Sequence, residues 1–163
     1  MKTIASTITA AAILWGVGTT VGLAQDHHHV MQNPQEAQWG PAPPMLPAGA
    51  QIAVLSGDPG RSAPYTVRLK FPANYAIPAH SHPTDENVVV VSGAVTFGLG
   101  SKLTKGAGNK TVGAGGYALA PANVNHFAYT AQETTIVLYG IGPVEFKYVN
   151  PSDDPRNAKK PVE

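Results

Sequence analysis

From Gln51 to Val149 short apolar runs alternate with turn residues at close spacing, and this limits the fold more than any other feature of the chain. "QIAVLS" is followed by "GDPG", "YTVRLKF" by "PANYAIP", and "NVVVV" by Ser92-Gly93; "AVTFGLG", "YALAP", "HFAYT", "TTIVLYG" and "VEFKYV" complete the set. No long segment repeats its apolar residues at helical spacing, Val, Thr and Tyr recur, and 17 Gly and 15 Pro supply the breaks. The predicted fold class is all-β, with about eight to ten short strands arranged as a sandwich or barrel.

The 163 residues suffice for one compact domain. Formal net charge is +1 and the Lys and Arg residues are scattered, so no basic face for nucleic acid is expected. Residues 1–24 combine one lysine, an apolar centre near Ala11 to Val17 and a small-residue ending, and read as a cleaved signal peptide. Thr and Gly interrupt the apolar run below the length of about 18 residues that a spanning helix needs, so no stable membrane anchor is expected. The predicted location is periplasmic or secreted. Residues 25–50 form a Pro- and His-rich extended arm that Trp39 and Leu46 are expected to dock, 51–149 the folded domain, and 150–163 a polar, loosely attached C-terminal tail. The mature start Gln25-Asp26-His27 offers a free amine with histidine third, a pattern that can capture copper or nickel. With no cysteine in the chain, stability must come from packing and metal rather than from disulfides.

The segment "PAHSHPTDENVVVVSG" places ionisable groups at the opening of a strand built for burial. An uncharged polar group buried without a partner costs about 2–7 kcal/mol, so a partner is expected there. Alternation along a strand points His80 and His82 the same way, with Ser81 opposite. Pro83 ends that strand, and "PTDE" turns the chain so that Glu86 starts the next one beside the histidines. Glu86 shares a face with Val88 and Val90; Asp85 has the other parity and is assigned to the turn. A fourth group, His126, lies in "GGYALAPANVNHFAYT" near the start of another apolar segment.

The spacing His80-x-His82-x3-Glu86-x6-Gly93, followed by Gly115-x5-Pro121-x-Asn123-x2-His126, resembles the paired motifs of the cupin superfamily, and 51–149 resembles one small cupin domain. The resemblance implies a double-stranded β-helix, a jelly-roll barrel whose mouth holds one divalent metal on His80, His82, Glu86 and His126, and pairing as a homodimer through the outer sheets. The chain departs from the family pattern at Asn74 and Asn123, where glycine is usual, and at Thr130, where asparagine is usual. Asparagine tolerates positive φ, so both turns should survive, whereas Thr130 leaves a structural hydrogen bond open.

Three imidazoles and a carboxylate suit Mn, Fe, Ni, Cu or Zn. With two positions open at octahedral coordination, such a centre takes a small-molecule ligand, including an anionic bidentate one. Tyr129, Tyr117 and Asp85 are the candidate acid or base groups near the mouth, with the two tyrosines the catalytic candidates; the remaining histidines sit in the arm. Oxygen chemistry at a metal asks little of protein acids and bases, so a dioxygenase-like metalloenzyme is preferred to an isomerase or lyase. A non-catalytic periplasmic ligand- or metal-binding protein is the alternative.

Overall fold

A computed structural model of the protein describes residues 29–158. The proposed signal segment and the Gln25-Asp26-His27 start lie outside the described residues. Eleven strands run in chain order: β1 (Gly40–Pro41), β2 (Gln51–Ser56), β3 (Pro64–Phe71), β4 (Ala76–Ser81), β5 (Glu86–Ser92), β6 (Ala94–Leu99), β7 (Lys110–Gly113), β8 (Tyr117–Ala120), β9 (His126–Tyr129), β10 (Thr134–Ile141) and β11 (Lys147–Tyr148). They form two antiparallel sheets, ordered β1-β2-β3-β10-β5-β8 and β11-β4-β9-β6-β7. This is the all-β jelly roll expected from the sequence, with β1 and β7 added at the sheets and "VEFKYV" reduced to the two-residue β11 at an edge.

The core forms where the alternation of one sheet meets that of the other. Tyr65, Val67, Leu69 and Phe71 of β3, Val88 and Val90 of β5, and Ile136 and Leu138 of β10 face Ile77 of β4, Val95 of β6 and Ala128 of β9. In β3, and over the first five residues of β5 and β10, every second residue is buried, as a sheet with one solvated face requires. Between β5 and β6 the chain reverses at Gly93, whose φ is +74°. A Cβ there would lie 2.5 Å from the Glu133 carbonyl oxygen, so the turn needs glycine both for conformation and for space.

The three departures from the family pattern are accommodated. Asn74 and Asn123 take φ of 58° and 62°, the left-handed conformation that glycine would supply. Thr130 is buried and its hydroxyl donates to the Pro72 carbonyl at 2.9 Å, while its amide donates to Tyr75 O at 2.9 Å. A hydrogen bond thus remains at that position.

Both flanking segments pack on the barrel. Leu46 and Ala50 of the arm enter the core, Trp39 lies under the Lys70 ammonium at 4.7 Å, and the Tyr148 hydroxyl donates to Met45 O at 2.7 Å. The C-terminal residues through Ala158 form two 3-10 turns capped by Asn150 and Asp154. Arg156 ties them down by donating to Phe146 O at 2.9 Å, so this part does not hang loose as the polar composition suggested. No helix among the described residues is long and apolar enough to cross a membrane.

Candidate metal centre

His80 and His126 sit opposite each other on β4 and β9. One residue separates His126 from Ala128, but two separate their partners Ile77 and His80, so β4 carries one extra residue, a bulge, at Pro78-Ala79. The extra residue lets Ile77 fill the core and His80 face the same interior, although simple alternation would send them to opposite sides. His82 follows on the chain leaving β4, and its carbonyl is held by the Asn123 amide at 2.7 Å. The two motifs are thereby tied together by main chain.

The three imidazoles pack at centroid distances of 4.8 Å (His80 to His82), 4.4 Å (His80 to His126) and 5.2 Å (His82 to His126). All are buried, and one ring nitrogen from each lies within 4.8 Å of the others. Each ring spends Nδ1 on a backbone carbonyl: His80 on Pro78 at 2.7 Å, His82 on Glu145 at 2.8 Å and His126 on Val124 at 3.0 Å. A carbonyl only accepts, so Nδ1 carries the proton and Nε2 is left as a lone pair. This is the orienting arrangement of a metal-ligating histidine.

Burial keeps the rings neutral. It lowers His80 from its ordinary 6.5 to about 3, with the neighbouring His126 and His82 adding to the shift, and it lowers His82 and His126 as well. Glu86 opens β5, is buried, and places Oε1 3.5 Å from His82 Nε2. Burial pushes its carboxyl up to about 7, opposed by the nearby His126. His82 Nε2 has no hydrogen-bond partner among the described residues. A buried lone pair facing a carboxylate oxygen needs a cation or a proton between them, and ligands about 2.0–2.2 Å from a shared ion stand roughly 3–3.5 Å apart when adjacent. The three imidazoles therefore fit a divalent metal, and Glu86 stands next to them, near His82 but outside the cluster of mutually close ring nitrogens. Asp85, by contrast, is exposed and accepts from the Ala122 amide at 2.8 Å, a turn contact.

The two tyrosines are not brought to the triad. Tyr129 is an odd number of residues from His126 on β9, so it faces the other side, where its hydroxyl accepts from Asn109 Nδ2 at 3.3 Å under the Lys105 ammonium. Tyr117 pairs with Val89, which has the parity opposite to Glu86, and its exposed hydroxyl donates to Asn87 Oδ1 at 2.6 Å. What does surround the site is Phe146, stacked on His80 at 4.6 Å and edge-on to His82 at 4.6 Å, with Tyr148 5.8 Å from His80. Their segment, "VEFKYV", reads as one more strand, and nothing in its composition marks it as the wall of a site.

Beside the triad lies a cavity of about 230 Å³ walled by Leu46 and Met45 of the arm, Leu69, Leu138 and Phe146, with Glu86 and Tyr65 as its polar side chains. A smaller space of about 30 Å³ inside the barrel is lined by His80, His126 and Glu86. Glu86 and Phe146 line both, so the carboxylate stands where the two meet.

A two-sheet β barrel with converging buried histidines at its mouth defines a cupin. The model of the ChrR cupin-like domain matches residues 27–145, and the chain belongs to that family. No curated protein matches it. Among solved structures it is similar to a Methylibium petroleiphilum protein provisionally described as an acetylacetone dioxygenase, at 20% identity and TM-score 0.61 over 82% of this chain and 90% of that one. It is also similar to the polyketide cyclase RemF of Streptomyces resistomycificus, at 16% identity and TM-score 0.57 over 81% and 90%. A third is KdgF of Halomonas, at 20% identity and TM-score 0.51 over 68% and 91%. At these identities the likeness is one of fold.

Proposed function

We propose that the protein is an exported, metal-dependent cupin that carries out dioxygenase-like chemistry on a small molecule, with His80, His82, Glu86 and His126 as the ligands. The observation that carries the metal reading is the set of three buried Nε2 lone pairs, each fixed by a main-chain acceptor on Nδ1, converging beside Glu86. A divalent transition metal bound there supplies Lewis acidity and, when redox-active, a way to engage dioxygen. The residues themselves hold the imidazoles neutral, present one carboxylate, and exclude water through Phe146 and the arm.

The fold neighbours include proteins named for oxygenation and for cyclisation, so they do not choose the reaction. The choice of oxygen chemistry rests on the walls of the cavity, which carry no histidine, lysine or arginine to serve as a separate base. Oxygen uptake by the manganese- and iron-loaded protein against small enolisable or phenolic compounds tests this, with Glu86→Ala as the control. Uptake lost in that variant supports the reading. Silence with every metal replaces it with a non-catalytic binder. Export belongs to the same proposal: the mass of the protein recovered from its cell envelope should correspond to a chain starting at Gln25.

A further inference from the structure

Tyr65, Gly140 and Glu86 lie in one row across three strands. On β10, Gly140 pairs with Tyr65 of β3 on one side and with Glu86 of β5 on the other. The glycine between them has no side chain, and the tyrosine uses the space: a Cβ at Gly140 would stand 3.4 Å from the Tyr65 hydroxyl and 3.6 Å from its ring. The ring thus leans across the middle strand toward Glu86, and both residues line the same cavity.

The hydroxyl is the unusual feature. Tyr65 is only 5% exposed. The other well-buried tyrosine, Tyr75, donates to Pro47 O, the half-buried Tyr148 to Met45 O, and the exposed Tyr117 to Asn87. The Tyr65 hydroxyl has no such partner among the described residues. The hydroxyl oxygen is not sealed within the protein either, so it is free to meet a ligand in the cavity that Tyr65 lines. The remaining walls, including Leu46, Val67, Leu69, Leu138, Val144 and Phe146, offer no side-chain hydrogen bond. The cavity therefore presents one donor and one carboxylate in an apolar enclosure.

We propose that the Tyr65 hydroxyl is the recognition donor of this cavity, and that the ligand is a small, uncharged, largely apolar molecule with a carbonyl or enol oxygen that accepts from it. This rests on the reading of the site given above for the identity of the cavity as the ligand site. In the metal-free protein an anionic head would meet no cation of the chain in that space and would face Glu86, so the ligand class proposed is the neutral carbonyl one. Burial, and after it the charge of Glu86, raises the Tyr65 phenol above its ordinary value, so it stays a donor rather than an acid at neutral pH. A cavity below the usual range of about 300–1,000 Å³ further limits the ligand to a compact one.

The test uses two probes of one shape, cyclohexanone and methylenecyclohexane, in which CH2 replaces the oxygen. Both are titrated by ligand-observed NMR into the full chain, zinc-loaded and metal-free, for wild type and Tyr65→Phe. Wild type should bind the ketone about tenfold more tightly than the alkene, equivalent to about 1.4 kcal/mol. In the metal-free protein Tyr65→Phe should remove that preference while keeping alkene affinity and thermal midpoint, because the hydroxyl supports nothing else. A preference that survives the substitution in metal-free protein overturns the proposal, as does a wild type that binds neither probe. So does a midpoint that falls by several degrees in Tyr65→Phe, which would reveal a structural partner. Elemental analysis run alongside keeps the two readings apart: failure to hold zinc sinks the metal centre, and the metal-free titration still decides on Tyr65.

Discussion

His82 Nε2 and Glu86 Oε1 stand 3.5 Å apart, one a lone pair by tautomer and the other a carboxylate oxygen. Two acceptors in that position repel unless a proton or a metal ion joins them. In the metal-free protein the proton is supplied by Glu86 itself, whose carboxyl is raised to about 7. Zinc uptake at pH 6 should accordingly release about one proton, and Glu86→Gln should release none while losing at least tenfold in affinity, about 1.4 kcal/mol. Calorimetric titration in buffers of different ionisation enthalpy measures both; release of two or more protons would mean that the histidines were charged beforehand.

The acid stability of the metal-free protein follows from the same groups with opposite signs. The folded imidazoles refuse protons that the unfolded chain takes up below 6.5, His80 down to about 3, so their contribution is lost as pH falls through that window. Glu86 acts the other way, since the folded state keeps a proton that the unfolded chain gives up between 4.5 and about 7. Three groups outweigh one, and the thermal midpoint in chelator should fall on acidification from pH 7 toward 4. Removing the opposing group in Glu86→Gln should steepen the fall. A flat profile by scanning calorimetry would contradict neutral, buried rings.

Phe146 should matter to both packing and metal. It stacks on His80, meets His82 edge-on and walls the cavity. Phe146→Ala should cost about 3–5 kcal/mol of stability by denaturant unfolding, the range for removing a buried phenyl group. It should also weaken zinc binding in the fraction that remains folded, because His82 depends on the adjacent Glu145 carbonyl.

Gly93→Ala provides a contrast. The substitution forces an L-residue to φ near +74° and drives its Cβ to 2.5 Å from Glu133 O. It should destabilise by at least about 1–2 kcal/mol from the conformation alone. Zinc affinity of the folded protein should stay within twofold of wild type, since the turn lies between β5 and β6, away from the ligands.

The barrel was legible because strand alternation and turn residues are local signals, and the triad because its two separated motifs together resemble those of the cupin superfamily. Glu86 was separable from Asp85 by parity alone, and the structure shows one buried and the other exposed. Parity along β4 was less reliable. The bulge at Pro78-Ala79 slips the phase by one residue, and the proline is the only mark it leaves in the sequence. Tyr117 and Tyr129, the catalytic candidates of the sequence, have a strand parity that sends them outward. Nothing local marks Tyr65, because its relation to Glu86 passes through a third strand, and Gly140, the residue that creates the space, reads in "TTIVLYG" as an ordinary interruption.

The acceptors that orient the three rings are the carbonyls of Pro78, Val124 and Glu145, not side chains. Every residue type supplies a carbonyl. Tolerance to substitution at the site should therefore split sharply: the imidazoles admit no replacement, while the positions that aim them admit many, provided the path of the main chain is kept. The instruction for pointing the rings is written in the shape of the barrel, and a survey of point variants that looks only for intolerant side chains would pass it by.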